Sequence, residues 1–169
     1  ESYRLGLELD AILNINNKIT LKPNFSISSN KNKNYFFEFD NKLKNFGNTD
    51  ISFSPNIIIG NSFEYSFNSG IKAFFNTKYV GKQFMSNTND ASSVLSSFIV
   101  NDVGFSYNLF KNNFVKNSRI KLLINNLLDR KYESFGGHYF YNIDNKTYSG
   151  AYYYPMAGIN FLAGIDLIF

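Results

Sequence analysis

The sequence predicts an all-β chain, with about seven strands of an antiparallel, up-and-down transmembrane β-barrel larger than the chain itself. Three observations carry that expectation. Apolar and polar residues alternate with a period of two over long runs. These reach and pass the roughly 9–11 residues that a tilted strand needs to cross hydrocarbon. The links between runs alternate short and long, which puts small turns at one end of the wall and large loops at the other. The apolar side of each run is aliphatic in the middle and aromatic toward its ends, the pattern of two interfacial girdles.

In the first run, 3–15, Tyr3, Leu5, Leu7, Leu9, Ala11, Leu13 and Ile15 alternate with Arg4, Gly6, Glu8, Asp10 and Asn14. After the polar turn "NINNK" a second run over 19–27 sets Ile19, Leu21, Phe25 and Ile27 against Thr20, Lys22, Asn24 and Ser26. Its continuation past "SSNKNKN" into Tyr35, Phe37 and Phe39 is left open. A polar stretch then leads to a third run, 51–67, and Asn68 and Ser69 turn the chain into a fourth, 70–84, whose lysines all fall on one parity. The fifth run spans 98–109. The sixth, 119–130, alternates Ile120, Leu122, Ile124 and Leu128 with Arg119, Lys121, Asn125 and Asp129, interrupted by Leu123 and Leu127. A long loop, 131–157, precedes the last run, 158–169.

Composition narrows the functional classes. The chain of 169 residues has 19 Phe, 12 Tyr and no Trp, a diet that favours pleated sheet. Its net charge of +4 is spread along the whole length, so nucleic acid is not an expected partner. With no cysteine there are no disulfides and no thiolate metal sites, and the single histidine has no second ligand at metal spacing. No apolar run approaches the roughly 20 residues of a membrane helix. Neither a nucleophilic triad, nor paired acid and base carboxylates, nor a Gly-rich phosphate loop emerges, so neither catalysis nor a cofactor is expected.

A soluble β-sandwich also alternates, but its strands need only about 5–6 residues and its turns come every 8–12 or so. In a bilayer an unpaired backbone N–H costs several kcal/mol, so strands cross only as a closed barrel, apolar outside and polar inside. The apolar parity is therefore expected to face outer-membrane lipid, and the Asn-, Ser-, Lys- and Glu-rich parity a wet or plugged lumen. Phe169, at the end of "GINFLAGIDLIF", would put its ring at the periplasmic interface as the signal read by the outer-membrane assembly machinery.

Three stretches, "NNLLDRKYES", "YYYPMAGINFLAGIDLIF" and "ISFSPNIIIGNSFEYSF" followed by "KYVGKQF", resemble the C-terminal barrel strands of TonB-dependent outer-membrane receptors. The Asn- and Lys-rich style is similar to receptors of Bacteroidetes-type bacteria. What the resemblance implies is a barrel of about 22 strands with an N-terminal plug in the bacterial outer membrane. Such a receptor takes up a scarce ligand, a ferric siderophore, cobalamin or a glycan, with energy delivered through TonB. Residues 1–169 are expected to form the C-terminal part of that barrel domain, partnered by the remaining strands and the plug, both outside this chain. Whether a surface lipoprotein joins the complex stays open. The alternatives are a passive porin-like barrel and a soluble or adhesive structural β protein.

Candidate ligand contacts lie in the final loop: His138, Tyr139, Tyr141, Tyr148, Tyr152 and Tyr153. Tyrosine gives rigid, amphipathic contact area at low entropic cost. Glu64, Lys72, Lys78, Arg119 and Lys121 are expected on the lumen side, available to line a plug.

Overall fold

A computed structural model describes residues 1–109 and 117–168. β1 (Ser2–Asp10) and its short continuation β2 (Leu13–Asn14) run antiparallel along one side of the long β3 (Ile19–Asn32). The loop after β3 carries a small hairpin, β4 (Phe36–Phe39) and β5 (Lys42–Asn45). Then β6 (Thr49–Asp50) rejoins the far side of β3, and β7 (Ile57–Ser66) takes over that pairing. β8 (Ile71–Val80) follows a tight turn. In the next loop β9 (Gln83–Phe84) pairs with β10 (Val94–Leu95) around a single 3-10 turn at Ala91–Ser93. β11 (Phe98–Asn108) and β12 (Asn117–Asn125) continue the wall. A second loop hairpin, β13 (Glu133–Ile143) and β14 (Lys146–Pro155), precedes β15 (Asn160–Ile168).

The wall has the order β1-β3-β7-β8-β11-β12-β15, every neighbour antiparallel and next along the chain. This is the up-and-down arrangement expected of a barrel sector, with the seven runs of the sequence as its seven main strands.

Register aligns the apolar parity into continuous rows. Leu9, Phe25, Ile59, Tyr79 and Ile99 form one, and Leu21, Phe63, Phe75, Val103, Ile124 and Phe161 form another. Because side chains alternate, a slip of one residue in any strand would turn its apolar set to the polar face, so these rows hold the register. No second layer of described protein covers them: Leu7 is 64% exposed and Ile165 65%, and Ile57 and Phe105 are also open. The buried hydrophobic residues, Val80, Met85, Leu95 and Phe98, lie instead at the loop end.

The opposite face carries Glu64, Lys72, Lys78, Arg119 and Lys121 together, as the pairings of Lys72 with Ser106, and of Ser106 with Lys121, require. Lys22 pairs with Glu64, and Lys121 with Asp166, both at 2.5 Å. A β-carbon at Gly104 would enter the Phe74 ring, so glycine is what lets Phe74 lie flat across the next strand.

Strand ends differ from the alternation pattern where the loops take over. The third run was expected from residue 51, yet β7 begins at Ile57. Pro55 has no ladder donor, and Phe53 adopts φ +51, so residues 52–55 bulge from the sheet, while the Ile51 N–H and the Asn56 carbonyl stay bonded to Asn30 and Ser28 of β3. There Ser52 N–H donates to Asn87 Oδ1 and Phe53 N–H to the Phe84 carbonyl. The fourth run stops at Val80, after which Gly81 turns the chain toward the β9–β10 loop. The sixth stops at Asn125 because Asn126 takes a left-handed conformation. The buried Asn126 amide then accepts from Arg130 N–H and donates to the carbonyls of Arg130 and Ala157. β3, in turn, runs to Asn32, beyond the expected residue 27, and 36–39 belong to a separate hairpin. Phe169 lies outside the described residues.

Candidate functional site

All three long loops, 33–56, 81–97 and 126–159, leave the same end of the wall and dock on one another. Two of them carry hairpins closed by the same kind of turn. Asp40 and Asn41 close β4–β5, Asp144 and Asn145 close β13–β14, and all four have positive φ, the geometry that two-residue hairpin turns require. Near the tips, Asp40 N–H donates to Thr147 Oγ1 at 2.7 Å and Thr147 N–H returns a bond to Asp40 Oδ1 at 2.6 Å. Asn41 donates to Asn145 at 2.7 Å, and the Phe37 and Phe140 rings meet at 4.7 Å.

Alternation along β13 and β14 divides the predicted contact residues into two sets. His138 and Tyr153 face the other loops. Ser92 Oγ lies 3.2 Å from His138 Nε2 and the Tyr153 hydroxyl donates to the Ser92 carbonyl at 2.8 Å. Ser92 Oγ gives its own proton to Asp90 Oδ1 at 2.7 Å, so His138 Nε2 must be the donor and Nδ1 the bare acceptor. That Nδ1 is buried and meets no donor among the described residues. Burial pushes the His138 pKa down, with a smaller upward pull from the Asp90 carboxylate. Asp90 is held below the usual carboxylate range chiefly by the Ser92 hydroxyl, with further help from Ser149, which donates at 3.3 Å. His138 thus sits at the junction between the second and third long loops.

Tyr139, Tyr141, Tyr148 and Tyr152 occupy the other face, where they join Tyr154 of the same loop and two rings, Phe53 and Phe135, that the sequence does not group with them. Phe53 stacks on Phe135 at 5.6 Å and Phe135 on Tyr154 at 5.9 Å. Tyr154 meets Tyr152 edge-on at 5.6 Å, and Tyr152 lies 6.5 Å from Tyr139. Tyr139 stacks on Tyr141 at 6.1 Å and Tyr141 on Tyr148 at 5.6 Å. Glycine makes the row possible: Gly137 lies beneath the Tyr152 ring and Gly150 beneath Tyr139, where a β-carbon would collide with each. At its foot, Phe53 lines a cavity of about 620 Å³ on the polar face, with Arg4, Glu8, Ser26 and Asn30. Arg4 donates to Ser54 there at 2.9 Å.

Phe53 and Phe135 lie 82 residues apart, so period-two reading had no means of joining them. The signal within reach was the Asp144-Asn145 dipeptide between two aromatic alternations, which marks a hairpin. Glu64, Lys72, Lys78, Arg119 and Lys121 lie along the wall and not in the loop cluster. Among the described residues no group of His, Asp and Glu is placed to hold a metal ion.

No protein-family profile and no curated protein matches the chain. Solved structures do. The siderophore receptor PiuA from Acinetobacter baumannii superimposes with a TM-score of 0.75 at 18% identity, over 97% of this chain and 21% of its own. The closed form of the ferric-catecholate import receptor Fiu from E. coli K12 gives 0.68 at 16% identity, over 95% and 20%. The ferric yersiniabactin uptake receptor FyuA from Yersinia pestis gives 0.62 at 17% identity, over 98% and 23%. The chain spans about a fifth of the length of these structures. It has the fold of one sector of an outer-membrane receptor β-barrel, an all-β antiparallel wall with its long loops at one end.

Proposed function

We propose that this chain is part of the wall and outer mouth of a bacterial outer-membrane uptake receptor, energised through TonB, that works by loop capture and gated passage without covalent chemistry. The observation that carries the reading is the uncovered set of apolar rows across seven antiparallel strands, backed by a polar, ion-paired face. Such a sheet is stable in water only if something apolar covers it, and lipid does so without a second protein layer. Remaining barrel strands complete the edges at β1 and β15, a plug fills the lumen beside Lys72 and Lys78, and Phe169 guides assembly. The import and uptake functions in the names of the similar structures support the transport class.

The test is accumulation of candidate iron chelates, cobalamin and oligosaccharides in cells carrying or lacking the gene, with and without TonB. TonB-dependent accumulation of one of them, lost with the gene, is the expected result. Uptake that needs the gene but not TonB fits a passive pore and contradicts the energised reading.

A further inference from the structure

The aromatic row on the β13–β14 hairpin has a chemistry of its own. From Phe135 to Tyr148 that face carries no charged side chain; the first charge reached is Lys146, beside the turn. Its rings are half-exposed, and the hydroxyls of Tyr139, Tyr141, Tyr148 and Tyr152 have no hydrogen-bond partner among the described residues. An anionic chelate would call for Arg or Lys between the rings, and none is present. Flat apolar surface fringed by free donor-acceptor hydroxyls matches a sugar ring, which has an apolar C–H face and a rim of hydroxyls.

We infer that this face is a stacking track for an uncharged oligosaccharide, whose successive rings lie over Tyr148, Tyr141, Tyr139 and Tyr152 and lead toward Phe53 at the cavity on the polar face. The tyrosine hydroxyls exchange hydrogen bonds with the sugar hydroxyls, and the paired glycines keep the track flat. The inference deepens the uptake reading and rests on it for its direction, from hairpin tip to wall.

Calorimetric titration of the full-length protein in detergent tests it. The probes are neutral gluco-, manno-, xylo- and galacto-oligosaccharides of increasing length in both anomeric linkages, with a ferric catecholate as the anionic comparator. At least one neutral series should bind, more tightly as it lengthens. Tyr141→Ala and Tyr148→Ala should each weaken it about tenfold, as expected for the loss of one stacked ring. Tyr141→Phe, which keeps the stack and the hairpin, should weaken it only a few-fold. Absence of binding by every neutral series at millimolar concentration overturns the track, as does binding indifferent to both alanine variants. Uptake in the same cells separates the two readings. TonB-driven uptake of a chelate that ignores the tyrosine variants overturns the track alone, whereas tyrosine-dependent glycan binding without energised uptake overturns the transport reading alone.

Discussion

Asp40 and Thr147, separated by 107 residues, exchange two hydrogen bonds through the Asp40 carboxylate and N–H and the Thr147 N–H and hydroxyl. That reciprocal pair ties the hairpin of the first long loop to that of the third. It holds the β13–β14 hairpin with one face against the cluster and the aromatic row outward.

Asp40→Gly, which tolerates the positive φ of this position, removes the carboxylate acceptor and leaves the Thr147 N–H to water. The site is exposed, so the loss should be modest, about 1 kcal/mol. Amide hydrogen exchange should speed up about fivefold at Thr147 and around both tips, while protection in β8 and β11 stays unchanged. Unchanged exchange at the tips would contradict the docking.

Acidification should loosen the loops in two separate windows. Burial holds the His138 pKa below its ordinary value, so the folded loops take up a proton less readily than the unfolded chain, where histidine titrates at about 6.5. The His138 contribution is complete above that pH and declines as pH falls below it, levelling once the folded group is itself protonated. Asp90 acts lower. Its lowered pKa gives stability that is present above about 3.9 and is lost as pH falls through the folded value. Protease sensitivity of residues 81–97 and 133–155 should rise below about pH 6.5 in the wild type, and His138→Gln should flatten that first step. A first step identical in His138→Gln would contradict the assignment.

Arginine substitutions on adjacent positions of β15 read the two faces. Ile165 lies in the apolar row with Ile120, whereas Gly164 faces Lys121 with open space above it. Ile165→Arg should cost about 2–4 kcal/mol near mid-bilayer. Gly164→Arg avoids lipid and meets Lys121 and Asp166, so its cost should stay below about 1 kcal/mol. Unfolding in lipid vesicles would measure both, and equal losses would contradict the facing.

Much of the wall was legible because one physical rule, alternation between an apolar and a polar face, acts on every residue of a long strand. Leu7, Ile59, Phe105 and Ile165 all announce their face by parity alone. The loop end was not legible in the same way. Residues 51–56 keep the alternating pattern of a strand, yet the absent N–H of Pro55 and the bonds from Ser52 and Phe53 to the neighbouring loop pull 52–55 off the sheet. In 131–157 the sequence marked the tyrosines but read a loop, because a hairpin packed on protein along one face and open on the other shows aromatics at both parities. Parity within that hairpin is what divides His138 and Tyr153 from Tyr139, Tyr141, Tyr148 and Tyr152. Contacts such as that of Phe53 with Phe135 depend on loops meeting across the chain, which no local spacing encodes.

Residues 1–169 contain no cysteine, so single cysteines introduced here for spin labels meet no native thiol within this stretch, and any cysteine elsewhere in the protein is replaced by serine. The most direct test compares labels at Leu7, Phe105 and Ile165 with labels at Lys72, Lys78 and Lys121 in the full-length protein reconstituted in bilayers. The first three should collide readily with oxygen, which concentrates in lipid, and poorly with a water-soluble nickel chelate, and the last three should do the reverse. Labels at Leu7, Phe105 and Ile165 that are reached mainly by the nickel chelate, or shielded from both reagents, would contradict a lipid-facing wall.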